Sequence, residues 1–441
     1  MAGEHAPAVV NRPGSEQARR ASGRRRPAED ARLASLVTAL NRSEAPCRIE
    51  LPGGQEISIG DGEPRFALRL RNDRLLGSKI SGLSLGRAYV QGDVEIDVFG
   101  DDRAAIAKNA MSLFGVRDQI RSGTSVAQAL RLAGELALSR PTRVNARAIK
   151  HHYSLGDDFY HTFLDPEYHF YSQCRFRDVA AGEELDDPDE ALNNAAQAKV
   201  EHMHEKVGLK EGDRILDIGA GWGGLTEYCS ARGVHVTSLT ISDDSAEYIR
   251  TLIENENLSG EVIVEDLLEH RRGERYDAVV IFGVIEHIPT YGRFARRVWD
   301  ALKPGGRLYM DASATKEKYA ASAFTRRYTW QGPHSCLALP DMIEELLFHG
   351  FEIVEVERDT SDYERTMRAW ALRLEANHDL IARRWGEYVY RTFRVFLWGG
   401  VEGFNSNRLQ AYTLVAERRK DDPGPRPGRL RRTGQFLASL R

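Results

Sequence analysis

Three features of the sequence predict a doubly wound α/β domain preceded by a smaller α+β domain. Short hydrophobic strands alternate with amphipathic helices from Asp213 onward, a glycine-rich turn at Gly219–Gly224 follows the first of those strands, and Pro141 closes a long helical stretch ahead of them. The 441 residues, 41% hydrophobic and 29% charged, suffice to bury one large core and one smaller one.

In chain order, Met1 to about Asp30 is Ala, Arg, Gly and Pro with almost no aliphatic periodicity, and reads as a disordered leader. The small domain follows over residues 31–140. Arg48–Leu51, Phe66–Leu70 and Ser84–Val98 contain short alternating strands, separated by turns such as Pro52-Gly53-Gly54 and Gly60-Asp61-Gly62. Helical spacing then runs from Asp102 to about Leu138. The larger domain, residues 141–420, contains strands at Arg214–Ile218, Val234–Leu239, Glu261–Val264, Ala278–Phe282 and Arg307–Met310, a rhythm that predicts a parallel sheet. Residues 421–441 form a basic tail.

Composition narrows the class. No run of about 18 apolar residues occurs and the N-terminus is polar and Arg-rich, so neither a spanning helix nor a secretory signal is expected and the protein is placed in the cytoplasm. Cys47, Cys174, Cys229 and Cys336 form no CxxC pair, so four reduced thiols and no metal site are expected. Arg418–Arg441 carries eight Lys/Arg against Asp421 and Asp422, with Phe436, Leu437 and Leu440 beyond the Arg cluster. Such a tail suits either an anionic phospholipid surface or a solvated end. No helix-turn-helix, zinc finger or RNA-binding signature accompanies the charge, so nucleic acid is not expected as a partner.

The strongest local signal is Ile215-Leu216-Asp217-Ile218-Gly219-Ala220-Gly221-Trp222-Gly223-Gly224, a strand running into a glycine turn and a helix. Gly219 and Gly221 let the backbone turn tightly and approach a ligand that a Cβ would obstruct. Neither a GxGxxG nor a GxxxxGK[ST] phosphate-binding spacing is present. A purely structural βα turn is the alternative. Further candidates stand at the carboxyl ends of the next strands: Thr240 and Ser242 with hydroxyls for ribose, Glu265 and Asp266 for an adenine amino group, and Gly283–His287 after the fourth. In open α/β sheets that edge is where ligands bind.

The glycine turn resembles the first motif of class I S-adenosylmethionine (SAM) methyltransferases, whose sheet is Rossmann-like and doubly wound. Upstream, His152-Tyr153-Ser154-Leu155-Gly156-Asp157-Asp158-Phe159-Tyr160, then Phe163-Leu164-Asp165 and Tyr171-Ser172, resembles the opening segment of the cyclopropane fatty acid synthase family. Gly221-Trp222-Gly223-Gly224, Thr240-Ile241-Ser242, Glu286-His287, Leu302-Lys303-Pro304-Gly305-Gly306, Tyr363 through Thr366 to Trp370, and Gly403-Phe404 with Arg408-Leu409-Gln410 continue that resemblance in the family's order. It spans about Leu33 to Val415.

The resemblance implies SAM as cofactor, with Tyr171, Ser172, Asp217, Gly219, Gly221, Thr240, Ser242 and Asp266 around it. It implies an unsaturated acyl chain of phospholipid as substrate, met at the inner face of the membrane, and a homodimer as in some relatives. An alkene has no proton to remove before attack, so orientation is the chief contribution of such an enzyme. Aromatic faces at Tyr160, Trp222, Tyr363 and Trp370 are candidates for stabilising the cation left by methyl transfer.

The chain departs from cyclopropane-forming relatives where a bicarbonate takes a methyl proton among a Cys, a Glu, a His, a Tyr and an Ile backbone. Glu286 and Tyr363 are retained, but the Cys position is Gln173, the His position Asp311 and the Ile position Ser313, with Cys174 one place late. Asp311 beside Glu286 is expected to put two carboxylates where an anion would sit. The resemblance then points to the actinobacterial branch that makes tuberculostearic acid. There a hydride shift precedes loss of a methyl proton to Glu286 or Asp311, and a separate reductase saturates the resulting 10-methylene group. Cyclopropanation, and a non-catalytic lipid-binding scaffold, are the alternatives. Ser245 is a further departure, standing where many relatives have a cofactor-contacting Gln.

Overall fold

The computed structural model describes residues 27–41, 46–99, 155–176, 187–271, 276–320, 322–330 and 334–420. The leader up to residue 26, the helical stretch from Asp102, Pro141, His152 to Ser154 and the basic tail lie outside the described residues. The chain divides into two compact units, the smaller holding the described residues to Phe99 together with Ala382–Gly399, the larger holding the rest.

In the smaller unit, β1 (Cys47–Glu50), β2 (Glu56–Ile59), β3 (Phe66–Leu70) and β4 (Val94–Val98) form a sheet in the order β2-β1-β3-β4. Helix Pro27–Leu40 begins inside the stretch expected to be disordered. Its first turn carries Glu29 and Asp30, favourable at a helix start, and Leu33, Leu36, Val37 and Leu40 are buried at helical spacing. Of the span Ser84–Val98, Val94–Val98 is strand, and the first part belongs to helix Gly82–Val90. Ser81 and Ser84 close a reciprocal capping box there, and Leu85, Ala88 and Tyr89 face the core at i, i+3 and i+4.

The larger unit is built on a seven-stranded sheet in the order β10-β11-β9-β8-β5-β6-β7. Five strands are parallel: β5 (Arg214–Ile218), β6 (His235–Thr240), β7 (Gly260–Val264), β8 (Tyr276–Phe282) and β9 (Leu302–Ala314). The expectation of a wholly parallel sheet is corrected by β10 (Glu352–Arg358) and β11 (Gln410–Glu417), since β11 runs antiparallel to both β9 and β10. Both carry strand-like runs, EIVEVER and QAYTLVAE, but they follow the alternating strands and helices instead of continuing that rhythm. β10 lies at the sheet edge with alternating charges, and its Glu355 and Glu357 pair with Lys206 while Glu357 also binds Arg175. The core between sheet and helices is made by Leu216, Ile218, Val279, Ile281, Leu308 and Met310 with the helices around them.

Candidate active site

At the carboxyl end of β5 the backbone sets the geometry. Gly219 sits at φ +77 and its N–H donates to the Leu239 carbonyl at 2.8 Å. A Cβ at Gly219 would lie 2.4 Å from Val284 Cγ2, so a side chain is excluded there. Gly221, at φ +54, has open space where a Cβ would project. The turn is thus closed on the protein side at Gly219 and open at Gly221, as a cradle for a ligand requires. Gly224 lets the next helix approach the Tyr168 carbonyl, which a Cβ would meet at 2.4 Å.

The other expected cofactor residues stand along the same edge. Asp217 is buried, and desolvation pushes its carboxyl up to about 7 against the opposing charge of Lys199. Thr240 ends β6 and its hydroxyl accepts the Ser242 N–H at 3.2 Å. Ser242 caps helix Asp243–Glu256 by accepting the Ser245 N–H, while the Ser245 hydroxyl donates to the Gly221 carbonyl at 2.5 Å. Asp266 follows β7, half-buried, accepting the Leu268 N–H at 2.8 Å. Glu265 beside it binds His270 at 2.7 Å. These donors and acceptors, with the open glycine turn, fit an adenosyl cofactor carrying ribose hydroxyls and an adenine amine.

A second cluster gathers at the ends of β8 and β9. Glu286 lies in a short 3-10 turn, wholly buried, its Oε1 accepting from both the N–H and the hydroxyl of Ser313 at 2.8 Å. Its Oε2 has no hydrogen-bond partner among the described residues. Burial pushes the carboxyl up to about 7 despite the Ser313 bonds, and the nearby charge of Asp311 adds to the rise. Tyr363, on helix Thr360–Ala376, faces both carboxylates: burial first, then Glu286 and Asp311, hold its phenol well above the ordinary range.

Asp311 has a counter-ion that the sequence reading did not name. Its Oδ2 lies 2.9 Å from the ammonium of Lys199, a residue only 1% exposed on helix Pro188–Val207. The same ammonium bonds Ser172 Oγ and sits 4.0 Å from the Phe282 ring centroid. Gln173 is engaged as well, its amide donating to Asp359 Oδ2 at 2.6 Å with Thr413 bonded to the same oxygen at 2.5 Å. Cys174 is buried beyond it, its N–H donating to Thr366 Oγ1. Tyr171 and Ser172 are presented by a loop that Asp165 organises by accepting the N–H groups of Tyr168, His169 and Phe170.

Aromatic rings line one side. Tyr160 lies 5.7 Å from Trp222 and 5.4 Å from Tyr171, Tyr171 lies 5.4 Å from Trp370, and Trp370 meets Tyr363 edge-on at 6.4 Å. Tyr363 stacks on Phe404 at 4.6 Å. The four aromatic candidates are thus linked, through Tyr171, into one run of ring contacts. His287, next to Glu286, packs against Trp330 at 4.6 Å, and burial lowers it to about 4, so it is neutral.

The structure thus brings Glu286, Asp311 and Tyr363 together, and seats Gln173 in the Asp359 and Thr413 network. Lys199, Asp359 and Thr413 escaped the sequence reading, and Asp165 was named there only within a motif. Lys199 left a signal: it falls on the buried stripe of Leu192, Ala195, Ala196 and Met203, where a lysine is out of place.

A family model described as mycolic acid cyclopropane synthetase matches residues 140–414. A probable fatty acid methyltransferase of Pseudomonas putida is 27% identical over 403 residues, covering 87% of this chain and 95% of the relative. The cyclopropane-fatty-acyl-phospholipid synthase of Escherichia coli is 26% identical over 375 residues, covering 84% and 90%. In fold, the larger unit is similar to a cyclopropane synthase from Mycobacterium tuberculosis with a TM-score of 0.55 at 23% identity, covering 62% of this chain and 98% of that one. The architecture is that of class I methyltransferases.

Proposed function

Because the chain belongs to the mycolic acid cyclopropane synthetase family of SAM-dependent methyltransferases acting on fatty acyl chains, we propose that it methylates the double bond of an oleoyl phospholipid and releases a 10-methylene chain. The observation that supports this reading is that the two residues which the resemblance sets at the anion position are engaged by the chain's own groups. Asp311 is ion-paired to Lys199, and Gln173 is bonded to Asp359. In cyclopropane-forming relatives those two positions help to hold a bicarbonate. Asp311 offers a bicarbonate an acceptor where the relatives offer an imidazole donor, and the Gln173 amide is already engaged by Asp359.

SAM supplies an electrophilic methyl carbon. The glycine turn and the hydroxyls of Thr240 and Ser242 hold it, and the aromatic rings from Trp222 to Tyr363 orient the alkene and exclude water. Bound there, the cofactor would supply the methyl carbon to the alkene π pair, its C–S pair staying with sulfur, and a cation would remain at the neighbouring carbon. The faces of Tyr363 and Trp370 and the charge of Asp311 stabilise it. A hydride shift moves the cation to the carbon bearing the methyl. Glu286 Oε2, unpartnered and near neutral in its proton affinity, then takes a methyl proton, and that C–H pair becomes the exocyclic double bond. A reductase acting on 1,1-disubstituted alkenes is the proposed consumer of this product, and the membrane surface the proposed workplace. Among the described residues no helix is long and apolar enough to cross a membrane.

Incubation with SAM and dioleoyl phospholipid, followed by mass spectrometry and proton resonance, tests the reading. Exocyclic vinylidene signals are expected. Cyclopropane methylene signals would instead establish the ring-forming reaction, and a folded protein that transfers no methyl group would sink both.

A further inference from the structure

The mechanism above gives no part to Lys199, the most deeply buried cation among the described residues. Lys199 projects from helix Pro188–Val207 into the sheet at 1% exposure, and three buried carboxylates on three elements share its charge. These are Asp311 on β9 at 2.9 Å, Asp217 on β5 and Asp165 on the loop before Ser172. Ser172 accepts a bond from it, and the faces of Phe170 and Phe282 close over it at 5.0 and 4.0 Å. Cys174 also lies within its field, and Asp359 lies within that of Asp311. On its own helix, His202 is turned away, toward Tyr309 and Glu357.

Stability is a poor explanation for this arrangement. Taking an ammonium and a carboxylate out of water costs several kcal/mol per ion, and apolar side chains of similar volume commonly replace such pairs without loss. The direction of the pair is informative. Asp311 turns Oδ2 to Lys199 as an ion pair at 2.9 Å, neither of its buried oxygens has a hydrogen-bond partner besides that among the described residues, and its charge is felt by Glu286 and Tyr363.

We propose that Lys199 is a positioning residue for the methyl-transfer reaction: from behind β9 it keeps Asp311 as a carboxylate facing Glu286 and Tyr363, so that a fixed negative charge awaits the cation formed on the acyl chain. This rests on the proposed reaction for its consequence, but not for its first test. Burial alone drives Asp311 toward its neutral form, and Lys199 is the principal group opposing that.

Infrared titration of the full chain reads the charge directly, the Asp311 carboxylate band being identified by its loss in Asp311→Asn. In Lys199→Met the midpoint of that band should rise by at least one pH unit, whereas Lys199→Arg should leave it near the wild-type position. Turnover of oleoyl phospholipid at neutral pH should fall at least tenfold in Lys199→Met, in kcat rather than KM, and recover as pH rises. An unmoved midpoint, or a wild-type pH profile, overturns the proposal. Should Lys199→Met fail to fold, the neutral pair Lys199→Met/Asp311→Asn carries the test. A kcat equal to that of Asp311→Asn alone supports action through Asp311, and a further tenfold loss refutes it. A wild-type enzyme inactive on oleoyl phospholipid would sink the functional reading while leaving the infrared midpoint to decide this one.

Discussion

The carboxyl ends of β5 and β9 lie in the same sheet, two strands apart, yet they are built on different principles. At β5 the site is made of backbone: Gly219 at φ +77 against Val284, Gly221 at φ +54 opening outward, and carbonyls and N–H groups as the bonding partners. At β9 the site is made of buried side chains, Lys199 with Asp311, Glu286 with Ser313, and Gln173 with Asp359, drawn from segments up to 186 residues apart. A backbone site depends on what is missing at a few adjacent positions. A side-chain site depends on charges that stabilise one another only when all are present.

That difference predicts where substitution hurts most. Glu286→Gln keeps the shape and the Ser313 bonds but removes the proton acceptor, so kcat should fall roughly 10²–10⁴-fold while cofactor affinity stays within a few-fold of wild type. The wild-type rate should climb as pH rises through about 7, where Glu286 ionises, and the variant should lack that limb. Stability carries the opposite sign. The folded carboxyl binds its proton more tightly than the ordinary value of 4.5, so the protein loses stability as pH rises from about 4.5 to about 7, and Glu286→Gln should flatten that slope. Thermal melts across the range, beside steady-state kinetics, measure both. Full activity in the variant would assign the proton to another base.

Gly219→Ala should act in the reverse pattern, on cofactor binding more than on chemistry. The added Cβ meets Val284 at 2.4 Å in a left-handed backbone, strain of about 1–3 kcal/mol before the contact is counted. Affinity for the cofactor should drop about 10- to 100-fold by calorimetry. Val284→Ala in the same chain should recover part of that loss, the steric part, and leave the backbone part. No recovery would mean that the turn depends on something other than this close approach.

Legibility divides along the same line. Strand β5 was placed to the residue from its apolar run and glycine turn, and the cofactor edge followed from it, because short-range backbone requirements leave residue types at fixed spacing. Strands β10 and β11 lie outside the reading although both have strand-like runs, because they join the sheet antiparallel after the βα rhythm has ended, with no hairpin turn to pair them. The same long-range antiparallel addition puts Thr413 opposite Asp311 in register, so the neighbours of Asp311 could not be known without β11. The acidic residues at the site were visible by type and position. Their compensation was not, because Lys199 reaches Asp311 across 112 residues (311 − 199) of sequence and declares itself only as a lysine on a buried stripe.

The smallest effect should come from the one side chain that supports the glycine turn directly. The Ser245 hydroxyl donates to the Gly221 carbonyl at 2.5 Å, so Ser245→Ala removes a bond without touching the backbone path. Ser245 is partly exposed, and water can replace its hydroxyl, which puts the cost at the low end of about 0.5–1.5 kcal/mol and the change in cofactor affinity near two- to threefold. Calorimetric titration resolves that easily. If the loss instead exceeded tenfold, the conformation of Gly221 would depend on a side-chain prop rather than on glycine's own freedom, and the β5 end would have to be grouped with the networked site at β9.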